Sequence, residues 1–179
     1  MSDRKSLIED VATRAVKKDG IRSISFRTLA DEVGVKSSSV HYHFPTKADL
    51  AQSLVNRYSG EFALKLEEIS AKHNTPRDRL LALVDAFNTN LADADLCLCG
   101  MMAAELNSLD KKTQQVLDRF FVTAEAWIAA QIEGDIDGLS PAAWAKILIS
   151  ALEGAVMLDR VSQGSERLSA CRQLVTKLT

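Results

Sequence analysis

The sequence is short of residues that break or staple a chain. Of 179 residues only three are proline and eight are glycine, aromatics make up 6%, and the composition is otherwise that of an ordinary soluble globular protein. No segment is low in complexity, and no unit repeats. No stretch alternates apolar and polar residues around an Asn-Gly or Asp-Gly turn, so no β-hairpin is expected. Cys97, Cys99 and Cys171 make an odd number, and a Cys-x-Cys pair does not readily bridge itself. Free thiols in a reducing compartment are expected rather than a disulfide framework. The start, MSDRKSLIED, has no apolar signal-like core, and the longest uncharged run, Ser37 to Thr46, is too short and polar to cross a bilayer. A cytoplasmic protein without a membrane partner is expected.

Catalytic and metal motifs are missing too. There is no Gly-x-Gly-x-x-Gly, Walker loop, Gly-x-Ser-x-Gly or His-Glu-x-x-His, and the carboxylates are scattered, so no enzyme is expected. A helical enzyme whose site assembles from distant residues would escape this test. His41 and His43 point about 200° apart on a helix and lack further ligands for zinc. The loop GDIDG, residues 134–138, holds a fragment of a calcium loop without the rest of its ligand series and reads better as a turn. No metal and no cofactor are expected. No Lys, Arg or His lies within ten residues of Cys97 or Cys99 to activate a thiol, which argues against redox sensing.

What is present is helical periodicity and a charge gradient. The formal net charge is −2, but residues 1–47 carry +3 and residues 48–179 carry −5. A polyanion contact therefore belongs to the N-terminal quarter. Apolar residues recur at helical spacing, as in Leu7, Ile8, Val11, Ala15 and later Leu50, Leu54, Tyr58, Phe62, Leu66, Ile69. Helices are expected over 4–18, 26–33, 38–44, 47–72, 76–92, 101–107, 110–133, 141–162 and 166–178. The fold class is all-α with about nine helices. Thr46 with Asp49 and Thr75 with Asp78 fit capping boxes, Ser140-Pro141 repeats a start signal, and Gly20 and Gly164 stand where left-handed caps would end helices. The helix from Lys47, about 39 Å long at 1.5 Å per residue, reads as a rigid connector between basic head and acidic body.

The most informative stretch is residues 26–50, FRTLADEVGVKSSSVHYHFPTKADL. A helix-turn-helix needs a small residue where its helices touch, a residue that accepts the tight turn, and an apolar anchor on the second helix. Ala30, Gly34 and Val40 supply these, with Leu29 and Val33 completing the inner face and Phe44 sharing the face of Val40. Ser38 and Tyr42 then lie nearly opposite Val40, with Ser39 and His41 on the flanks. Hydroxyls, an imidazole and a phenol on one outward face suit phosphate oxygens, base edges and thymine methyls. Ser37 opens the same helix, Lys47 stands at the start of the next, and Arg27 on the preceding helix is long enough to reach phosphate or guanine. Taken singly, His43 and Lys47 read equally well as a packed histidine and a solvated lysine.

In these residues the chain resembles the TetR family of one-component transcriptional regulators, whose pattern is Ala-x-x-x-Gly-Val, a short recognition helix, and Tyr-x-His-Phe-x-x-Lys. Ala30, Gly34, Val35, His43, Phe44 and Lys47 stand in register. His41 departs from the usual tyrosine, although Tyr42 follows it. The motif covers residues 7–55, and the helix count extends the likeness along the chain. The resemblance implies DNA contacts from Arg27, Ser37, Ser38, Ser39, His41, Tyr42, His43 and Lys47. It also implies a helix-turn-helix domain over 1–47 and an effector-binding and dimerisation domain over 48–179.

Within the body, the helix with Trp144, Ile147, Leu148, Ala151, Leu152, Gly154, Ala155 and Val156 is apolar on more than one side, and the last helix carries Leu168, Cys171, Leu174, Val175 and Leu178. A homodimer through residues 141–178 follows, a four-helix bundle by the resemblance. Phe87, Leu91, Cys97, Met101, Met102, Glu105, Phe121 and Trp127 suit an adaptable pocket as well as they suit a helical core. The resemblance favours the pocket. Glu105 is open to a cationic or hydroxylated ligand or to a pair with Lys111 or Lys112. The function expected is a homodimeric repressor of a palindromic operator in double-stranded DNA. An unidentified small-molecule effector releases it by favouring a conformer in which the connector swings. The other readings are a helical ligand-binding or interaction module that does not bind DNA, and a helical enzyme.

Overall fold

The computed structural model of the chain describes residues 4–92 and 96–178, without the side chains at 89–92 and 178. Among the described residues nine α-helices form: α1 Arg4–Asp19, α2 Phe26–Val33, α3 Ser37–His43, α4 Lys47–Lys72, α5 Pro76–Ala92, α6 Leu98–Ala104, α7 Lys111–Ala129, α8 Pro141–Ser162 and α9 Glu166–Leu178. Single 3-10 turns stand at Ile21–Ser23 and Leu106–Ser108. The fold is all-α, as the periodicity requires.

Most boundaries follow from the caps. At α4 the Thr46 amide donates to Asp49 Oδ2 at 2.9 Å while the Asp49 amide donates to Thr46 Oγ1 at 3.1 Å, so both halves of the box are made. At α5 the Asp78 amide donates to Thr75 Oγ1, and at α8 the Ala143 amide donates to Ser140 Oγ. Four expectations need correction. The helix expected at 101–107 runs Leu98–Ala104, because burial of Leu98, Cys99 and Met102 sets its position and the bond from the Glu105 amide to Met102 O tightens its end into a 3-10 turn. The helix expected to reach 133 ends at Ala129, where Gln131 and Ile132 also bond three residues back. Gly20 stands at φ 83°, ψ 165°, outside the left-handed helical region expected of a cap there. The GDIDG loop is the turn expected, with Asp137 and Gly138 both at positive φ and Ile136 and Leu139 exchanging two 3.0 Å bonds. At the end of α8 the left-handed residue is Gln163, at φ 54°, one position before Gly164. The Gly164 amide then bonds Asp159 O in the usual six-to-one manner.

The chain divides into two compact units, Met1–Gly60 with Cys97–Asp118, and Glu61–Leu96 with Arg119–Thr179. In the first, Ile8, Val11, Ala12, Val16, Leu29, Val40, Phe44, Leu50, Leu54 and Val55 are buried, each larger side chain stabilising the unit by about 1.5–3 kcal/mol. A polar cluster fixes α1 on α4: Ser53 Oγ donates to the buried Glu9 carboxylate at 2.6 Å, and Arg57 Nη2 stands 2.6 Å from Asp10 Oδ1. In the second unit α5, α8 and α9 pack on one another through Leu80, Leu83, Leu148, Leu152, Val156, Leu168 and Val175. Asp159 of α8, fully buried, accepts from the backbone amides of Arg167 and Leu168 and from Arg167 Nη1, capping α9 from a neighbouring helix. Burial pushes that carboxyl upward, but the two amides and the guanidinium outweigh burial and hold it below its ordinary value.

Candidate nucleic-acid interface

The first unit builds the helix-turn-helix locally. Ser25 caps α2, its Oγ accepting the Thr28 amide at 3.1 Å. Gly34 ends α2 at φ 75°, ψ 35°, a conformation that costs any other L-residue about 1–2 kcal/mol, and the Val35 amide closes the cap on Ala30 O at 2.9 Å. Ala30, at 2% exposure, leaves room for the helices to meet. Val40 and Phe44 of the α3 segment are buried, so the side of α3 opposite them must face out.

Tyr42 is 83% exposed. Ser37, Ser38 and His41 are exposed, and Ser39 and His43 are half-buried. The His41 ring meets the Phe26 ring edge-on at 4.8 Å, and Tyr42 meets His43 at 5.2 Å. Arg27 is exposed on the first turn of α2. A cleft of about 370 Å³ is lined by Arg4, Ser38, Ser39, Tyr42 and His43. Arg4 escapes the sequence reading because only the fold brings the start of α1 beside α3; the Arg4-Lys5 pair opening a helix was the one available signal. The cleft combines a guanidinium, hydroxyls, an imidazole and a phenol, donors suited to phosphate and base edges.

Lys47 is spent differently from expectation. Its Nζ donates to Arg22 O at 3.1 Å and Ile24 O at 2.9 Å, closing the 3-10 turn against the start of α4. Its ammonium lies below the ordinary lysine value, chiefly by burial, with Glu105 opposing the shift. The residues expected to line a pocket fall in both units. Cys97, Met101, Met102 and Glu105 belong to the first, and Phe87, Phe121 and Trp127 to the second. Cys97, Met102 and Phe87 are buried, while Met101, Glu105, Phe121 and Trp127 are half-buried. The Leu91 side chain lies outside the described residues. Tyr58 Oη donates to Cys97 Sγ at 3.6 Å, and Trp127 Nε1 donates to Ser70 Oγ at 3.0 Å. The Glu105 carboxylate accepts the Arg22 amide at 2.9 Å. All three thiols are buried, and burial first, then Asp159, raises that of Cys171.

Comparison with known proteins agrees with this geometry. Residues 8–54 match the family model described as bacterial regulatory proteins, tetR family. A TetR transcriptional regulator from Legionella pneumophila superposes with a TM-score of 0.91 at 29% identity, covering 98% of this chain and 97% of that one. A TetR-family transcriptional regulator from Agrobacterium tumefaciens does so with 0.90 at 23% identity, over 98% and 97%, which bears on the fold alone. Among curated proteins, the transcriptional repressor KstR2 of Rhodococcus jostii is 29% identical over 83 residues, 46% of this chain and 41% of that protein. The nicotine-responsive transcriptional repressor HdnoR of Paenarthrobacter nicotinovorans is 37% identical over 51 residues, 28% of this chain and 26% of that protein. The chain thus spans less than half the length of the curated relatives it matches. Over residues 8–54 it is similar to the TetR family, and the described chain shares the fold of TetR-family regulators.

Proposed function

We propose that the chain is a homodimeric, DNA-binding transcriptional repressor that a small molecule releases from its operator. The observation that carries this reading is the outward face of α3: Tyr42 is 83% exposed while Val40, two residues away, is fully buried. A helix anchored on one side and bearing polar, hydrogen-bonding groups on the other fits a major groove. Residues 1–47 would bind DNA through Arg27, Ser37, Ser38, Ser39, His41, Tyr42 and His43, with Arg4 beside them and Lys47 bracing the head. Residues 48–179 would bind the effector and dimerise. Nicotine-responsive repression in one relative supports effector release, and the proposed candidates for meeting a ligand are Cys97, Met101, Met102 and Glu105 within the first unit and Phe87, Phe121 and Trp127 within the second.

A reader with one short recognition helix needs a second copy to reach half-sites about 34–36 Å apart. Ile147, Ala151, Gly154, Leu158 and Val161 recur at intervals of four and three along α8, and Ile147, Leu158 and Val161 are 41%, 53% and 82% exposed. This stripe favours a partner helix. By length and composition α8 is also apolar enough to cross a membrane, so sedimentation in the presence and absence of vesicles distinguishes the two covers. The function is tested by selecting duplexes from a random-sequence pool with the purified protein. Enrichment of a palindrome supports it, and recovery of unselected sequence overturns it.

A further inference from the structure

In the second unit several pieces of chain are tied around a cleft. Arg79, on the first turn of α5, reaches in two directions: its Nε donates to His73 O at 2.9 Å and its Nη1 to Gln131 Oε1 at 3.3 Å. Gln131, only 6% exposed, donates in turn from Nε2 to Trp127 O at 3.0 Å, so the turn before α5 is fastened to the end of α7. Further along, Ile136 and Leu139 exchange their two bonds, and Trp144 Nε1 donates to Ile136 O at 2.9 Å, holding Ile136 to the start of α8. The cleft that these ties leave measures about 460 Å³ and is lined by residues 75–77, Gln131, Glu133, Ile136 and Lys177 of α9. That is the size of a small-molecule site, with walls already fixed by hydrogen bonds. None of the residues proposed above to meet an effector lines it.

The charges around this cleft complement one kind of molecule. Arg77 and Lys177 bring two cations and Glu133 one carboxylate, and all three are exposed. Among the described residues none of the three has a hydrogen bond or ion pair, although opposite charges line one space. The neighbouring Asp78 carboxylate, by contrast, is taken up by the Thr75 hydroxyl at 2.7 Å. Two cations and one anion without partners suit a ligand with two carboxylates and one ammonium, because each charge of such a molecule then meets its opposite. Pro76 and Ile136 supply apolar surface for the short hydrocarbon between those groups, and the planar fork of Arg77 matches a carboxylate at two points. A simple diacid would leave Glu133 facing like charge, and a diamine would do the same to Arg77 and Lys177. We propose that this cleft binds a small acidic amino acid, with Arg77 and Lys177 on its two carboxylates and Glu133 on its ammonium. The site goes beyond the regulator reading and asks nothing of DNA.

The test titrates L-glutamate into the full-length protein at low ionic strength by isothermal calorimetry, beside glutarate, which lacks the ammonium, and γ-aminobutyrate, which lacks the α-carboxylate. L-glutamate should saturate with a Kd of about 1 mM or lower, and each analogue should bind about tenfold more weakly. Arg77→Ala and Lys177→Ala should each weaken glutamate about tenfold. Glu133→Gln should weaken glutamate about tenfold yet strengthen glutarate about threefold, since the like charge facing the diacid is gone. All three positions are exposed, so the thermal midpoints of the variants without ligand should match that of the wild type. Amide chemical shifts of the wild type locate the site without any variant, and on adding glutamate the changes should centre on residues 75–79, 131–136 and 177. Absence of saturable glutamate binding overturns the proposal. Equal binding of glutamate and glutarate, variants that bind glutamate as the wild type does, or shifts centred elsewhere overturn it as well. No duplex enters the titration, so its failure leaves the regulator reading standing, and failure to select a palindrome leaves the titration to decide this site.

Discussion

Helices α3 and α8 each leave a side uncovered, and the two sides differ in kind. On α3 the buried residues are few, Val40 and the adjacent Phe44, and the open side carries hydroxyls, imidazoles and a phenol. On α8 the buried side is long, with Leu148, Leu152, Ala155 and Val156, and the open side is apolar as well. A solvated helix face needs no explanation when it is charged. These two stand out because one offers hydrogen-bonding groups of short reach and the other offers hydrocarbon, so the first suits a polar groove and the second a matching helix.

The comparison breaks most sharply at α8. Leu158→Glu should give monomers by light scattering and lower affinity for a palindrome by roughly a thousandfold, since one half-site contact remains. A dimer of unchanged mass would move the interface elsewhere. Asp159→Ala, on the buried side of the same helix, should leave association intact but cost about 2–4 kcal/mol in chemical denaturation, because two α9 amides and Arg167 lose their acceptor. Asp159 is depressed when folded, so its contribution is present above the ordinary value of 3.8 and is lost as pH falls through the folded value. The wild-type advantage over Asp159→Asn should accordingly shrink below about pH 4. On α3 the expected losses are smaller and confined to binding. Arg27→Ala should weaken the palindrome about 10- to 100-fold with an unchanged thermal midpoint. Gly34→Ala should destabilise the first unit by about 1–2 kcal/mol through its positive φ alone, as open space surrounds the missing Cβ.

The parts legible in the sequence were those whose physics is local. The Thr46–Asp49 box, the Gly34 turn and the shared face of Val40 and Phe44 depend on residues within one turn or one short loop, and all are present. Where an element's limits are set by packing, the pattern misled: burial of Leu98 and Cys99 starts α6 three residues earlier than periodicity indicates. The site divides in the same way. Exposure of Tyr42 follows from its angle to Val40, whereas Arg4 beside Tyr42, Glu9 beneath Ser53 and Glu105 on the Arg22 amide join positions far apart in sequence. Lys47 shows the limit most clearly. Its spacing from Phe44 is the familiar one, yet its Nζ is bound to two carbonyls of its own chain.

The claim at the centre is that the Tyr42 side of α3 enters a duplex. Fluorescence anisotropy of wild type and Tyr42→Ala on a selected palindrome, repeated from low to high salt, tests it most directly. The account predicts affinity falling steeply with salt, by a log–log slope near −0.9 for each phosphate neutralised, and Tyr42→Ala weaker by about 10-fold or more at every salt concentration with its fold intact. A wild type indifferent to salt, or a Tyr42→Ala protein that binds as tightly as its parent, would contradict it.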